Sequence, residues 1–131
     1  MGANRVAVIG VGQTQYASVR GDVSLPGLLR EAAFRALADA HLTMDDIDAI
    51  VVGKAPDFFE GIMMPEPYLA EALGAVGKPL FRVHTAGSVG GSTAIVAASH
   101  VESGVHERVL TIGWQQQSVS EAMWALSFPI P

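Results

Sequence analysis

The sequence predicts an α/β domain built on a mostly parallel sheet. Short runs rich in β-branched residues recur at Arg5–Val11, Ile47–Val52, Leu80–Val83 and Arg108–Ile112. Helical patterns lie between them, and glycine or proline marks most junctions. Strands that alternate with helices need crossover connections, so the strands run parallel and helices cover both faces.

Arg5–Val11 (RVAVIGV) reads as a buried strand flanked by glycine. Ser24 is a good N-cap with Pro26 in the first turn, so a helix should run from there to about His41. Leu28, Leu29, Ala32, Ala36, Leu37 and Ala40 share one face of it. Thr43 and Asp46 have the spacing of a capping box around a short turn. After the strand IDAIVV comes an apolar loop carrying Phe58, Phe59, Met63 and Met64, which suit an interface core or the wall of an apolar tunnel. Tyr68–Leu73 is a short helix. Ser88 to about Ser103 is a helix with no charge before Glu102, suited to burial on all sides, and Gly104 stops it. Trp114, Met123, Trp124 and Phe128 lie near the end with nothing after them to cover them, as in the first part of a larger fold or a chain that needs a partner.

Composition narrows the function. Half the residues are hydrophobic, only 16% are charged and the mean hydropathy is +0.34, which is apolar for a 131-residue soluble domain and points to buried interfaces. A net charge of −5 argues against nucleic acid or an anionic membrane as partner. The absence of cysteine excludes a disulfide framework, a thiolate metal site and a cysteine nucleophile. His41, His84, His100 and His106 lack metal-ligand spacing, so no metal is expected. His100 and His106 read as surface residues near a helix end, and Lys54 as a solvated loop lysine or a phosphate contact. The N-terminal apolar run is too short for a secretory signal, and the charge-free stretch Val83–Val101 is too rich in Gly, Ser and Thr to span a membrane; the cytoplasm is the expected location.

Two glycine-rich stretches remain. GVGQTQY (10–16) lacks the third glycine of a dinucleotide loop, and its helix opens only near Ser24, so it reads as a strand-ending turn. HTAGSVGGSTA (84–94) joins a strand to a helix. A helix N-terminus stabilises an anion or a developing oxyanion, and small residues let a ligand approach the backbone. Ser88 lies at that point with His84 as the nearest base. The same small residues serve equally well to pack a helix tightly on a sheet.

GSTAIVAA followed by SGVHERVLTIG resembles the nucleophile helix and next strand of the thiolase superfamily. RVAVIGVGQTQY, VHTAGSVGGSTA, DDIDAIVVGKAPDFFEG and AMWALS are similar to its sterol-carrier-protein-linked branch, close to the actinobacterial lipid-transfer-protein-type thiolases of steroid catabolism. The resemblance implies that residues 1–131 are the N-terminal portion of a thiolase-like domain, about the first third, with an incomplete sheet and a buried central helix. It implies acyl-CoA acyltransferase chemistry on lipid or steroid side chains, with coenzyme A entering as part of the substrate and no permanently bound cofactor. The family's nucleophilic cysteine falls on Ser88, or on Gly87 when counted from the other end; neither is a thiol. Retro-aldol cleavage of a hydroxyacyl-CoA and a non-catalytic lipid carrier or assembly subunit are the alternatives. The family's other reactive groups lie in the later half of its fold, so this chain alone is expected to be inactive. Leu80–Val83 matches the strand through which such subunits pair, implying a homodimer.

Overall fold

The computed structural model describes residues 5–54, 61, 62 and 64–119. Among them, in chain order, are α1 (Leu25–Asp39), β1 (Ala49–Lys54), α2 (Glu66–Leu73), β2 (Leu80–Val83), α3 (Val89–Glu102) and β3 (Val109–Trp114). The strands form one parallel sheet in the order β2-β1-β3, with Ile50 opposite Leu80 and Leu110.

The central strand organises the rest. All six residues of β1 are buried, because helices lie on both sides of it. Ile50 and Val52 face α1 and α2 and join Leu29, Leu37, Leu69, Leu73 and Ile112 in the main core. Val51 points the other way, to Val83 and to Ala97 of α3. Each fully buried Val or Ile contributes about 1.5–3 kcal/mol, so this strand is the main apolar anchor.

Local signals mark the ends of the elements. Ser24 Oγ accepts from Gly27 N at 3.3 Å, the N-cap expected of it. Asp46 Oδ2 accepts from Thr43 N and Thr43 Oγ1 at 2.8 and 2.9 Å, closing the capping box around a 3₁₀ turn. Gly74 ends α2 in the left-handed conformation, φ 70°. Asp48 ties β1 to β3 at their start: its N–H donates to Arg108 O, and its Oδ2 accepts from Glu107 N and Arg108 N at 2.9 and 2.8 Å.

Several expectations need correction. Arg5–Val11 forms no strand and joins no ladder among the described residues, and it is exposed rather than buried. It rests against α1 instead. A Cβ at Gly10 would lie 2.5 Å from Ala36 O, and one at Gly12 would lie 2.3 Å from Ala36 N. These glycines therefore permit close contact and are not a strand-ending turn. That contact uses Ala32, Ala36 and Ala40, whereas the core takes Leu25, Leu29, Ala33 and Leu37; α1 thus has two covered faces where one was expected. The fully buried residues of α3 are Thr93 and Ala97, which face the sheet, and Ile95 on its far side is 68% exposed. Lys54 is not in a solvated loop: it ends β1, is 1% exposed, and donates from Nζ to Ile62 O at 3.2 Å. His100 is half-buried, its ring 4.5 Å from that of Phe81. Phe58, Phe59, Met63, Met123, Trp124 and Phe128 lie outside the described residues.

Two outcomes test this architecture. A Cβ at Gly53 would meet Thr93 Oγ1 at 1.9 Å and Val89 Cγ2 at 3.1 Å, so Gly53→Ala lowers the unfolding free energy by about 1–3 kcal/mol in urea melts, and adding Thr93→Ala restores part of it. The Asp48 carboxyl is held below its ordinary value, chiefly by the Arg108 N–H. Its stabilising contribution is therefore complete above the ordinary aspartate value and is lost as pH falls through the lower, folded-state value. The urea midpoint should fall between about pH 6 and about pH 3, and by less in Asp48→Asn.

Candidate functional site

β2 delivers the chain to the site. Val83, its last residue, is buried; His84 and Thr85 leave the sheet, Ala86–Ser88 make a 3₁₀ turn, and α3 begins at Val89. The turn lies beyond the C-terminal end of a parallel strand, where α/β sheets commonly place their ligands.

A small hydrogen-bond net shapes the turn. Ser88 N and Ser88 Oγ both donate to Thr85 O, at 3.2 and 2.8 Å. Thr85 Oγ1 donates to Ser92 Oγ, one turn into the helix, at 2.8 Å. Thr93 Oγ1 donates back to Val89 O at 2.6 Å. Between His84 and Ser88, Ala86 is held at φ 47°, a left-handed conformation that costs an L-residue about 1–2 kcal/mol. Strain at a non-glycine residue persists only where its surroundings impose it.

The glycines divide into two kinds. Gly53 is required by packing, since Thr93 crosses β1 directly above it. Gly87, Gly90 and Gly91 face open space, with no atom within 4 Å of where a Cβ would be. No side chain caps α3; the 3₁₀ turn before it takes the N–H groups of Ser88 and Val89 to Thr85 O and Ala86 O, and Gly90 and Gly91 follow at the start of the helix. The close packing of α3 on the sheet is thus made by Gly53 beneath Thr93, while the glycines of the turn border open space.

Ser88 and His84 are both exposed and near each other in the chain, but no hydrogen bond joins them. The Ser88 proton is directed to a carbonyl oxygen, which is not a general base. The strain at Ala86 and the Thr85–Ser92 bond were not legible in the sequence, because alanine carries no conformational signal and Thr and Ser are common in such turns. Nor was the polar group at the neighbouring strand ends. There the Lys54 Nζ lies 5.8 Å from the centre of the Trp114 ring. Trp114 Nε1 and Gln115 Nε2 are buried without hydrogen-bond partners among the described residues, beside a cavity of about 240 Å³. Among the described residues no three His, Asp or Glu side chains converge as metal ligands, and no helix is long and apolar enough to cross a membrane.

No protein-family model matches the chain. Sterol carrier protein 2 of Homo sapiens is 30% identical over 116 residues, 87% of this chain and 21% of that protein. The β-ketoacyl-[acyl-carrier-protein] synthase III of Helicobacter pylori is 39% identical over 90 residues, 66% of this chain and 26% of that protein. Among solved structures, the Ltp2-ChsH2(DUF35) aldolase is 27% identical with a TM-score of 0.69, over 92% of this chain and 32% of that one. The 3-oxoacyl-[acyl-carrier-protein] synthase III from Aquifex aeolicus has a TM-score of 0.63 at 24% identity, a likeness of fold alone, over 72% of this chain and 30% of that one. The fold is thiolase-like and incomplete, and the chain spans between 21% and 32% of the length of these relatives.

Relief of the strained turn is measurable. Ala86→Gly should raise the unfolding free energy by up to about 1 kcal/mol, the left-handed cost recovered less the entropy of glycine. Ala86→Val should lower it, because a branched Cβ suits a positive φ least. Urea denaturation of both variants checks the pair.

Proposed function

We propose that this chain supplies the N-terminal part of a thiolase-like subunit acting on acyl-CoA thioesters, and that the chemistry is retro-aldol cleavage of a hydroxyacyl-CoA without an acyl-enzyme. The observation that carries this is the hydrogen bond from Ser88 Oγ to Thr85 O at 2.8 Å. A hydroxyl replaces a thiolate as nucleophile only when a base takes its proton, and Ser88 presents its proton to a carbonyl. Retro-aldol cleavage needs no nucleophile. A base removes the proton of the β-hydroxyl, the Cα–Cβ bond breaks, a carbonyl forms at Cβ, and the electron pair passes to the thioester as an enolate. The open space beside Gly87, Gly90 and Gly91 would let an enolate oxygen approach the backbone at the start of α3, where the helix dipole favours negative charge. His84 is the candidate in this chain for handling the proton. The likeness to an aldolase over 92% of the chain supports the same choice.

Acyl transfer, with Ser88 or Gly87 in the nucleophile's place, is the second reading, favoured by the names of the synthase relatives. Both readings take a fatty or steroid acyl group as the CoA ester, and both place the protein in the cytoplasm. Pairing of two copies through β2 fits this reading too: β2 is an edge strand of the sheet, and Phe81 on it is 39% exposed.

The full-length subunit, incubated with a β-hydroxyacyl-CoA and followed by intact-mass spectrometry and product analysis, should cleave the substrate with no acyl adduct. Ser88→Ala should retain activity within about threefold, less than the loss on removing a positioned acid–base group. An acyl group found on Ser88 would falsify the retro-aldol reading and establish acyl transfer.

A further inference from the structure

We infer that His100 and His106 together bind one divalent transition-metal ion of the imidazole-seeking kind, Zn²⁺ or Cu²⁺, at the C-terminal end of α3.

On a continuous helix, residues at these two positions would lie on different faces. The end of α3 brings them together. Ser103 closes the helix, Gly104 turns the chain at φ 75°, and His106 N donates back to His100 O at 3.4 Å. Ser103 Oγ donates to the same carbonyl at 2.9 Å, so two bonds on one acceptor fix the turn that sets the spacing. The imidazole centres end 5.4 Å apart. An ion held about 2.0–2.1 Å from one nitrogen of each ring, at a tetrahedral angle, places ring centres about 5 Å apart. The spacing therefore accommodates a shared ion without moving the backbone.

Both side chains are half-buried, so an ion can reach them and water can fill the coordination positions that two protein ligands leave. Phe81 of β2 backs the pair, its ring centre 4.5 Å from that of His100 and 6.5 Å from that of His106. This contact restricts the imidazoles before an ion arrives, which lowers the entropy lost on binding.

The local field favours a cation. His100 lies in the last turn of α3, at the negative end of the helix dipole. Glu102 and Glu107 flank the pair in the chain. The Asp48 carboxyl, lowered chiefly by the Arg108 N–H and in smaller part by His106, adds a negative charge on the side of β1; Arg108 opposes it with a positive one. Imidazole suits Zn²⁺ and Cu²⁺, whereas Mg²⁺ prefers oxygen ligands. Aromatic packing would use the same three rings but has no need of their nitrogens, and the two roles separate when the nitrogens are removed.

The test titrates the 131-residue protein with Zn²⁺ near neutral pH and follows the ring protons of His41, His84, His100 and His106 by NMR. His100 and His106 should shift together and saturate at one ion per chain, and Mg²⁺ at the same concentration should shift neither. His100→Phe and His106→Phe each keep a ring beside Phe81 and should raise the Kd for Zn²⁺ at least about tenfold, since the second bond to the ion is intramolecular. Where a Phe variant changes the amide spectrum of the fold, His100→Gln or His106→Gln is read in its place. Binding of wild-type strength in the variants overturns the inference and leaves the cluster as packing alone. So does a response confined to one of the two rings, or one shared equally by His41 or His84, which makes the ion adventitious.

Discussion

The whole arrangement depends on how closely α3 can lie on β1, and Gly53 sets that distance. Thr93 crosses the strand where Gly53 has only hydrogen, and its hydroxyl is turned back to Val89 O, so no polar group is stranded at the contact. With α3 this close, Val51 and Val83 are sealed by Ala97, and β1 becomes buried on both faces. A strand in that position tolerates no water and no charge along its middle. Its continuous apolar run is therefore a consequence of the layered fold as much as a cause of it.

The same contact places the candidate site. Fixing Thr93 fixes the first turn of α3, so the chain leaving β2 must close a short distance within Ala86–Ser88. The positive φ at Ala86 and the paired donation of Ser88 to Thr85 O are how that closure is made. Packing thus shapes one side of the turn and leaves the other open, with space beside Gly87, Gly90 and Gly91.

The incompleteness of the fold has a direction. The side of the sheet under α1 and α2 carries a continuous core, whereas α3 leaves Ile95 in solvent and β3 leaves an edge beside an apolar slot. The high apolar content of the chain is explained by these surfaces rather than by a large core of its own. Phe81 stacked with His100 at the opposite edge, on β2, is a third such surface.

The sequence by itself determined the α/β class, the limits of α1, α2 and β2 to within two residues, the caps at Ser24 and Thr43–Asp46, and the position of the glycine-rich turn. These follow from local periodicity, branched side chains and capping chemistry, all of which act over a few residues. Only the tertiary structure decided that Arg5–Val11 stands outside the sheet, that Gly10 and Gly12 serve contact with α1, that Lys54 is buried, and that Ser88 faces a carbonyl instead of His84. Each of these depends on what lies opposite a residue across a distance that the chain's local pattern does not encode. A valine-rich run has the same composition whether or not a partner strand is within reach of its backbone.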